Sequence, residues 1–206
     1  MVLYLATGNR HKQKEMQELL TNYEIRIPAD DGIDFNPDET GATFYENSLI
    51  KAKALWQIVN KPVIADDSGL CVDALSGEPG IFTSRYAGPD FPHGRPDGMK
   101  ISQEEQNRLL IEQLNATGSK NRKCHYTCAM ALFVKNDQLY VAQDIFDGEL
   151  IEDICKQAGN GGFGYDPIVY LPEYGKTVAE ISSEEKNRIS HRGKAVRKIA
   201  EILKNF

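Results

Sequence analysis

The sequence has no run of basic residues, no long apolar stretch and few cysteines, and each absence excludes a class of protein. Over its 206 residues the formal net charge is −6, and it lacks the clustered lysine and arginine on which a nucleic-acid-coating protein depends. No stretch approaches the roughly 20 apolar residues of a membrane span. We therefore expect a protein that binds neither nucleic acid nor membrane, although a local pocket can be positive on an acidic protein.

The few cysteines indicate a reducing compartment. They are Cys71, Cys124, Cys128 and Cys155. They lack the paired C-x-x-C spacing of a zinc site. The apolar run at residues 2–5 is too short for a secretory signal. These features predict reduced, mostly buried thiols in a cytoplasmic protein.

The turn at residues 6–12, Ala-Thr-Gly-Asn-Arg-His-Lys, joins a predicted strand to a predicted helix. The helix is indicated by apolar residues at i, i+3, i+4 and i+7, beginning at Met16. Asn9 can cap this helix, Gly8 permits a tight turn, and Lys12 adds positive charge near a helix end that favours anions. The turn is not a Walker A loop. It predicts a phosphate cradle, and the alternative is a capped turn with a solvated lysine.

The rest of the chain alternates predicted helices and strands, which indicates a mixed α/β sheet. The predicted helices cover residues 43–60 and 102–114, a turn opened by Ser182 and a last helix capped by Ser190. The predicted strands cover residues 2–5, 24–27, 63–65, 126–134, 139–142, 148–154 and 168–171, and residues 70–72 are expected to continue extended after Asp66-Asp67-Ser68-Gly69. The pair around residues 135–138 is expected to form an antiparallel hairpin. A long loop at residues 76–98 is typical of functional or disordered segments.

Two adjacent carboxylates, Asp66 and Asp67, follow the predicted strand at residues 63–65. Successive strand side chains point to opposite faces, so only one carboxylate can share a site with a given neighbour. If Asp67 faces the cradle, it can hold a hard cation or orient a water, with Asp38 or Glu39 as a second carboxylate. The alternative is an ordinary turn whose side chains cap backbone N–H groups.

Two segments nearer the C-terminus are candidates for contacting a base. The glycine-rich stretch 159–164 lets the backbone approach a ligand closely. Phe163 and Tyr165 can stack on a base, and Asp166 can accept a hydrogen bond from it or hold the loop. The alternative is a flexible loop with both aromatic rings in the core. Ser190-His191-Arg192-Gly193 opens the last helix, where a solvated cap is the alternative.

Taken together, these stretches resemble the inosine/xanthosine triphosphate pyrophosphatases, which hydrolyse purine nucleoside triphosphates carrying deaminated bases. The matching motifs are Ala-Thr-Gly-Asn-x-x-Lys at 6–12, Glu-Thr-Gly at 39–41, Phe-x-Glu-Asn at 44–47, Ala-Asp-Asp-Ser-Gly-Leu at 65–70, Pro-Gly-Ile-x-x-x-Arg-Tyr-x-Gly at 79–88, Gly-Gly-Phe-Gly-Tyr-Asp-Pro at 161–167 and Ser-His-Arg-Gly at 190–193. Each motif is weak alone, but their common order is specific. The stretch at residues 89–98 is longer than the family pattern leads us to expect.

The resemblance implies a fold, an assembly and a reaction. The implied fold is a single domain over residues 1–206, built as two α/β lobes around an elongated, twisted mixed β-sheet flanked by helices, with the active-site cleft between the lobes. A homodimer and dependence on Mg²⁺ are also implied. The implied products are the nucleoside monophosphate and pyrophosphate.

Roles are implied position by position. Asp67 corresponds to the general base and a metal ligand, and Glu39 or Asp38 helps to hold the metal. The implied triphosphate contacts are Thr7, Asn9 and Lys12. Further implied substrate contacts are Gly8, Arg10, His11, Lys51 and Ser68. The residues implied to frame the base are Phe163, Gly164, Tyr165, Asp166, Lys186, His191 and Arg192.

Base selection must separate a 6-oxo group, which accepts a hydrogen bond, from the amino group of adenine, which donates one. A donor fixed near that atom, such as a backbone N–H near residues 163–166 or Arg192, would be left unpaired by ATP. Rejection by unpaired buried polar groups can reach about 10⁴-fold.

Two other functions stay open on the sequence alone. A Maf-like nucleotide pyrophosphatase would catalyse the same reaction on other bases, but Ser-His-Arg-Gly and Phe-Gly-Tyr-Asp argue against it. A non-catalytic nucleotide-binding module would have no use for Asp66, Asp67 and Glu39 together.

Overall fold

The computed structural model describes residues 1–88, 91, 101–135 and 138–206. The helices are α1 (Arg10–Leu19), α2 (Phe44–Val59), α3 (Gln103–Ala116), α4 (Ser183–Ile189) and α5 (His191–Leu203). The strands are β1 (Val2–Leu5), β2 (Glu24–Arg26), β3 (Val63–Val72), β4 (Lys123–Lys135), β5 (Gln138–Leu150), β6 (Val169–Leu171) and β7 (Lys176–Thr177). The strands form one mixed sheet in the order β2-β1-β3-β4-β5-β6-β7. The predicted α/β class is confirmed.

The chain divides into two compact units. Unit 1 comprises residues 1–68, 127–145 and 189–206, and unit 2 comprises residues 69–126 and 146–188.

Unit 1 is built around parallel strands with helices on both faces. β1 pairs in parallel with β2 and with β3. Leu3 and Leu5 belong to a core cluster with residues of α1 and α5, whereas Tyr4 and Ala6 belong to a second cluster with residues of α2. Because side chains alternate along a strand, one short strand supplies both cores.

In unit 2, β5 pairs antiparallel with β6, and β6 pairs antiparallel with β7. Helix α3 begins after Ser102, whose hydroxyl accepts from the backbone N–H of Glu105, and it buries Leu110, Ile111 and Leu114. The glycine-rich stretch at residues 159–164 is a loop, as predicted, and leads into β6 through a 3-10 turn, Asp166–Ile168.

Several predicted boundaries differ from the structure. The strand predicted at residues 63–65 does not end at Asp66-Asp67-Ser68-Gly69 but runs through these residues to Val72, so the predicted extended segment at residues 70–72 belongs to the same strand. The segment predicted as a separate strand at 148–154 is the end of β5, followed by a 3-10 turn at Ile154–Lys156. β7 was not predicted, because two residues carry no readable period. Residues 136–137 of the hairpin turn predicted at 135–138, and nearly all of the long stretch at 89–98, lie outside the described residues.

None of the helices in the described ranges has the length and apolar character needed to cross a membrane.

Candidate functional site

The turn after β1 is a capped helix start, as predicted. The Asn9 side chain accepts from the backbone N–H groups of His11 and Lys12, at 2.8 and 3.3 Å. The Thr7 hydroxyl oxygen accepts from the backbone N–H of Asn9 at 3.1 Å. These bonds fix the direction in which α1 leaves the sheet and place Lys12 in its first turn.

The turn does not require glycine at position 8. A Cβ built on Gly8 meets no atom within 4 Å, and its φ is not positive. The expectation that Gly8 avoids a clash within the turn is therefore wrong for this structure. Open space at Gly8 leaves the backbone accessible to a ligand, which is the other use of a glycine.

The other two residues of the turn take different positions. Arg10 donates to Gln13 and pairs with Asp30 on an exposed part of unit 1. His11 is exposed, and only its backbone N–H takes part in the cap.

Asp66 lies inside β3 and joins two cations. One carboxylate oxygen lies 3.1 Å from Lys12 Nζ, and the other accepts from Arg192 Nε and a terminal guanidinium nitrogen at 3.2 and 3.0 Å. The Arg192 guanidinium also donates to Ser68 Oγ at 2.9 Å and pairs with Glu15. The Asp66 side chain is completely buried. Its charge is therefore compensated inside the protein rather than by water.

Asp67, the next residue of β3, has different partners, as the strand alternation predicts. Its carboxylate accepts from Lys51 Nζ at 2.8 Å and from Asn47 Nδ2 at 3.4 Å. Lys51 Nζ also lies 3.1 Å from Glu39 Oε1. The cradle lysine pairs with Asp66, so the condition that Asp67 is the carboxylate facing Lys12 is not met by a direct contact in this structure.

The protonation of the two aspartates differs because their neighbours differ. Burial alone would raise the pKa of Asp66, but the positive charges of Lys12, Arg192 and Lys51 outweigh it and hold that pKa well below its usual range. Burial raises the pKa of Asp67 above its usual value, in spite of the opposing charges of Lys51 and Lys12. Asp66 is thus held ionised, while Asp67 has the stronger tendency to take up a proton.

The loop that carries Glu39 is fastened to α2. The backbone N–H of Gly41 donates to Asn47 Oδ1 at 2.8 Å. A Cβ on Gly41 would lie only 2.7 Å from the same oxygen, so a larger residue would displace the loop. Thr43 and Glu46 form the predicted capping box directly after it. Glu39 is half-buried beside Lys51, whereas Asp38 is exposed.

The arrangement around Lys51 suits a hard divalent cation. Carboxylate oxygens of Glu39 and Asp67 both lie close to the Lys51 ammonium. The two carboxylates therefore stabilise positive charge at this point. Mg²⁺ is usually held by one or two carboxylates together with substrate phosphate oxygens, so two donors are sufficient. Over the described part of the chain, no group of three or more His, Cys, Asp or Glu side chains is placed to hold a metal.

In unit 2, Asp166 holds the glycine-rich loop. One carboxylate oxygen accepts from the backbone N–H of Phe163 and from Lys186 Nζ, both at 2.8 Å, and the other accepts from Tyr126 at 3.1 Å. Gly162, with φ of 69°, approaches this carboxylate so closely that a Cβ would lie 2.0 Å from it. Of the two predicted roles of Asp166, holding the loop is the one visible in the structure.

The other residues of this loop are divided between surface and core. Phe163 is half-buried, and Lys186 Nζ lies 4.9 Å from the centre of its ring. The Gly164 carbonyl accepts from Asn107 at 3.3 Å. Tyr165 is buried, and its hydroxyl donates to the backbone carbonyl of Thr83 at 2.9 Å. Its ring lies in the core of unit 2, which was the alternative to base stacking.

Two residues that contact Asp67 or Arg192 were given no role from the sequence, although one of them, Asn47, lies in the motif at residues 44–47. Asn47 lies one helical turn before Lys51, so the two share a face of α2 and both meet Asp67. That i, i+4 pairing was a readable signal, because a buried asparagine among apolar helix positions needs a partner. Glu15 pairs with Arg192 from α1, and no local pattern pointed to it.

His191 and Arg192 begin α5 and are both buried. The solvated cap considered for this segment is therefore wrong. Ser190 does cap the helix, by accepting from the backbone N–H of Gly193 at 3.1 Å.

A sequence model of the Ham1 family matches residues 3–202. The chain belongs to the Ham1 family. A Treponema denticola protein named dITP/XTP pyrophosphatase is 45% identical over 204 residues, covering 99% of each chain.

Solved structures of the same family are similar in fold. The Ham1 protein of Coxiella burnetii is 33% identical with a TM-score of 0.86, covering all of both chains. The Ham1 protein of Staphylococcus aureus is 33% identical with a TM-score of 0.82, covering 100% of this chain and 99% of the other.

Proposed function

We propose that this protein hydrolyses deaminated purine nucleoside triphosphates, namely ITP, dITP and XTP, to the nucleoside monophosphate and pyrophosphate. It is a nucleoside-triphosphate pyrophosphatase, in agreement with the names of its relatives. The observation that carries the proposal is the pair of neighbouring β3 carboxylates with separate partners. Asp66 joins Lys12, and Asp67 joins Lys51 and Glu39. Family membership sets aside the Maf-like alternative.

Asp67 is the proposed general base. Both of its carboxylate oxygens have side-chain partners, and a general base needs such a fixed position first of all. It takes a proton from the attacking water while the bridge between the α- and β-phosphates breaks. Lys51 and Asn47 orient the carboxylate by their hydrogen bonds.

Lys12 and the start of α1 are the proposed phosphate site. Helix N–H groups and a lysine ammonium both stabilise phosphate charge. Lys12 is partly exposed, with 15% of its side chain accessible, so its ammonium can meet a ligand while it stays near Asp66. Thr7, Asn9 and Ser68 are further proposed contacts.

Mg²⁺ is the proposed cofactor, held by Asp67 and Glu39. When bound, it supplies positive charge that neutralises phosphate oxygens. We assign the second carboxylate to Glu39 rather than to Asp38, because Glu39 shares Lys51 with Asp67 and Asp38 is exposed.

Selection of the 6-oxo base is proposed to depend on His191 and Arg192. A guanidinium can only donate hydrogen bonds, so it suits an acceptor and leaves an amino group without a partner. Arg192 donates to Asp66, Ser68 and Glu15 in this structure, and a base would have to compete with or extend that network. Phe163, Lys186 and the loop between residues 163 and 166 are separate proposed substrate contacts.

A homodimer and a cytoplasmic location are also proposed. Leu139, Val141 and Ile145 form an exposed apolar row along β5, 38–41% accessible, which supports an interface between copies. Within the described part of the chain none of the four cysteines forms a disulfide, which supports a reducing compartment. Light scattering of the wild type and of Val141→Lys tests the assembly, and a monomeric wild type would reject it.

The decisive experiment measures pyrophosphate release from ITP, dITP, XTP and ATP with and without Mg²⁺. We expect rapid release from the three deaminated nucleotides, a weak ATP background and no release without metal. A protein that binds ITP by calorimetry without releasing pyrophosphate would be the non-catalytic binding module instead.

A further inference from the structure

Asp66 is placed to hold two other charged side chains, those of Lys12 and Arg192, in position. Its side chain has no accessible surface, so it cannot touch a substrate or a metal in this arrangement. Its two oxygens are nevertheless committed to two different cations, Lys12 on one side and Arg192 on the other. A hydroxyl, from Ser68, lies 3.3 Å from the second oxygen and also accepts from Arg192.

Helix α1, which carries Lys12, is held at a second point. Arg192 pairs with Glu15, which lies three residues after Lys12 on α1 and therefore on the same face of that helix. Lys12 is tied to β3 through Asp66, and Glu15 is tied to α5 through Arg192. The start of α1, the middle of β3 and the start of α5 are thus joined by one buried network.

Such a network is poorly explained by stability alone. Taking charges out of water costs about as much as the ion pairs return, and replacing them with apolar residues is often neutral or stabilising. A buried network of this kind is better explained by the one arrangement that it imposes on its members.

We propose that Asp66 is a positioning residue, which fixes the Lys12 ammonium and the Arg192 guanidinium relative to the neighbouring Asp67. The inference rests on the proposed function, in which Lys12 meets the phosphates. Because Asp66 partly neutralises Lys12, loss of its charge should leave ground-state attraction for phosphate intact or stronger. The same loss should let both cations move, and a displacement of about 1 Å can lower turnover by about 10²-fold.

The test compares Asp66→Asn with the wild type in kcat and KM for ITP at saturating Mg²⁺, and in affinity for inorganic pyrophosphate by calorimetry. We expect kcat to fall about 10- to 100-fold while KM does not rise and pyrophosphate binds at least as tightly. A kcat within threefold of wild type, or a raised KM at unchanged kcat, would overturn the positioning role. The matched control is Asp144→Asn, which removes another ion-paired carboxylate of unit 1, that of Asp144 with Lys198.

A second arm covers the case in which Asp66→Asn fails to fold because it removes one of the two carboxylates that compensate the buried Arg192 guanidinium. Here the single variant Arg192→Met is compared with the double variant Arg192→Met/Asp66→Asn. Neither protein contains the arginine, so Asp66 has no arginine to neutralise in this comparison. A further fall in kcat on adding Asp66→Asn supports positioning of Lys12. No further fall would show that Asp66 only compensates the arginine, and would overturn the proposal.

The two levels of the proposal fail in different ways. A wild-type protein that releases no pyrophosphate from ITP would reject the proposed function itself. Wild-type release together with unchanged kcat in Asp66→Asn would reject only the role of Asp66.

Discussion

Asp66 and Asp67 are neighbours in sequence, yet they are surrounded by different groups, and their pKa values are shifted in opposite directions. Asp66 is enclosed by Lys12 and Arg192, and Asp67 by Lys51, Asn47 and the adjacent Glu39 carboxylate. Strand alternation separates the two side chains, and the distribution of cations then decides which one stays charged and which one can accept a proton.

The role of Asp67 as general base is tested by Asp67→Asn, which keeps the shape and removes the charge. We expect kcat for ITP to fall by at least ~10², the usual loss for a general base. Steady-state pyrophosphate release at saturating Mg²⁺ is the measurement. Near-wild-type turnover in this variant would rule out the role, and Asp144→Asn serves as the control for the loss of an ion-paired carboxylate elsewhere in unit 1.

Lys12 is tested by Lys12→Ala. We expect a higher KM and a lower kcat, because charge builds on the phosphates in the transition state. The kcat/KM values for ITP and for ATP should fall by the same factor, since both substrates carry the same triphosphate. Lys14→Ala, an exposed lysine of the same helix, is the matched control and should behave as wild type. Unchanged ITP affinity and turnover in Lys12→Ala would make Lys12 a solvated helix residue.

The buried charge of Asp66 predicts a pH-dependent stability difference. Its folded-state pKa lies below the unfolded value of about 3.9, so its contribution is complete above that pH and is lost as the pH falls toward the folded value. Asp66→Asn should therefore lower the free energy of unfolding by about 3–5 kcal/mol between pH 5 and 8, with a smaller difference below pH 4. Urea denaturation across this range is the measurement, and a difference independent of pH down to 3 contradicts it.

At the scale of elements, the start of α1 carries both a structural cap and a proposed phosphate site. The Asn9 side chain accepts from two backbone N–H groups, so its loss frees donors at the helix end. Helix α3 begins with a comparable cap, Ser102, far from the charged clusters in sequence. The two helices therefore allow a structural effect to be separated from a functional one.

Asn9→Ala should lower the free energy of unfolding by about 1 kcal/mol, the usual cost of losing an N-cap. It should also raise KM for ITP, because the donors that face the phosphates lose their fixed direction. Ser102→Ala should cost a similar amount of stability with KM unchanged. The measurements are denaturation and steady-state kinetics of both variants. Equal KM values in the two would show that the Asn9 cap has no role in phosphate binding.

Strand β3 shows how an element can contradict its local sequence. Asp-Asp-Ser-Gly is typical of a turn, and the strand was predicted to end in it, with extended backbone resuming at residues 70–72. The structure continues the strand through these residues, because cations supplied by α1, α2 and α5 compensate the two carboxylates. Without those partners, two buried aspartates in a strand would be too costly to retain.

At the scale of the whole molecule, a bound divalent cation should stabilise the folded state by mass action. Ligand at 100 times its dissociation constant contributes about 2.7 kcal/mol, so Mg²⁺ or Mn²⁺ should raise the melting temperature of the wild type. Glu39→Gln should reduce this rise and Asp38→Asn should not, because only Glu39 meets the Lys51 ammonium beside Asp67. A reversed order of the two variants would assign the second ligand to Asp38.

The sequence by itself determined the helix starts, the α/β class and the family. Caps at Asn9, Thr43 and Ser190 are local chemistry, since each donor and acceptor pair lies within a few residues, and all three are present in the structure. Motif order along the chain was sufficient for the family, because it does not depend on which distant residues meet.

Only the tertiary structure decided the partners of the charged residues. Asp66 and Arg192 are 126 positions apart, and no local period relates them. The sequence showed that the two aspartates must face opposite ways, but not which cation each would meet, since that depends on how α1, α2 and α5 pack on the sheet. The physical reason is that helix caps and strand alternation follow from short-range geometry, whereas compensation of a buried charge depends on every group that packing brings within reach.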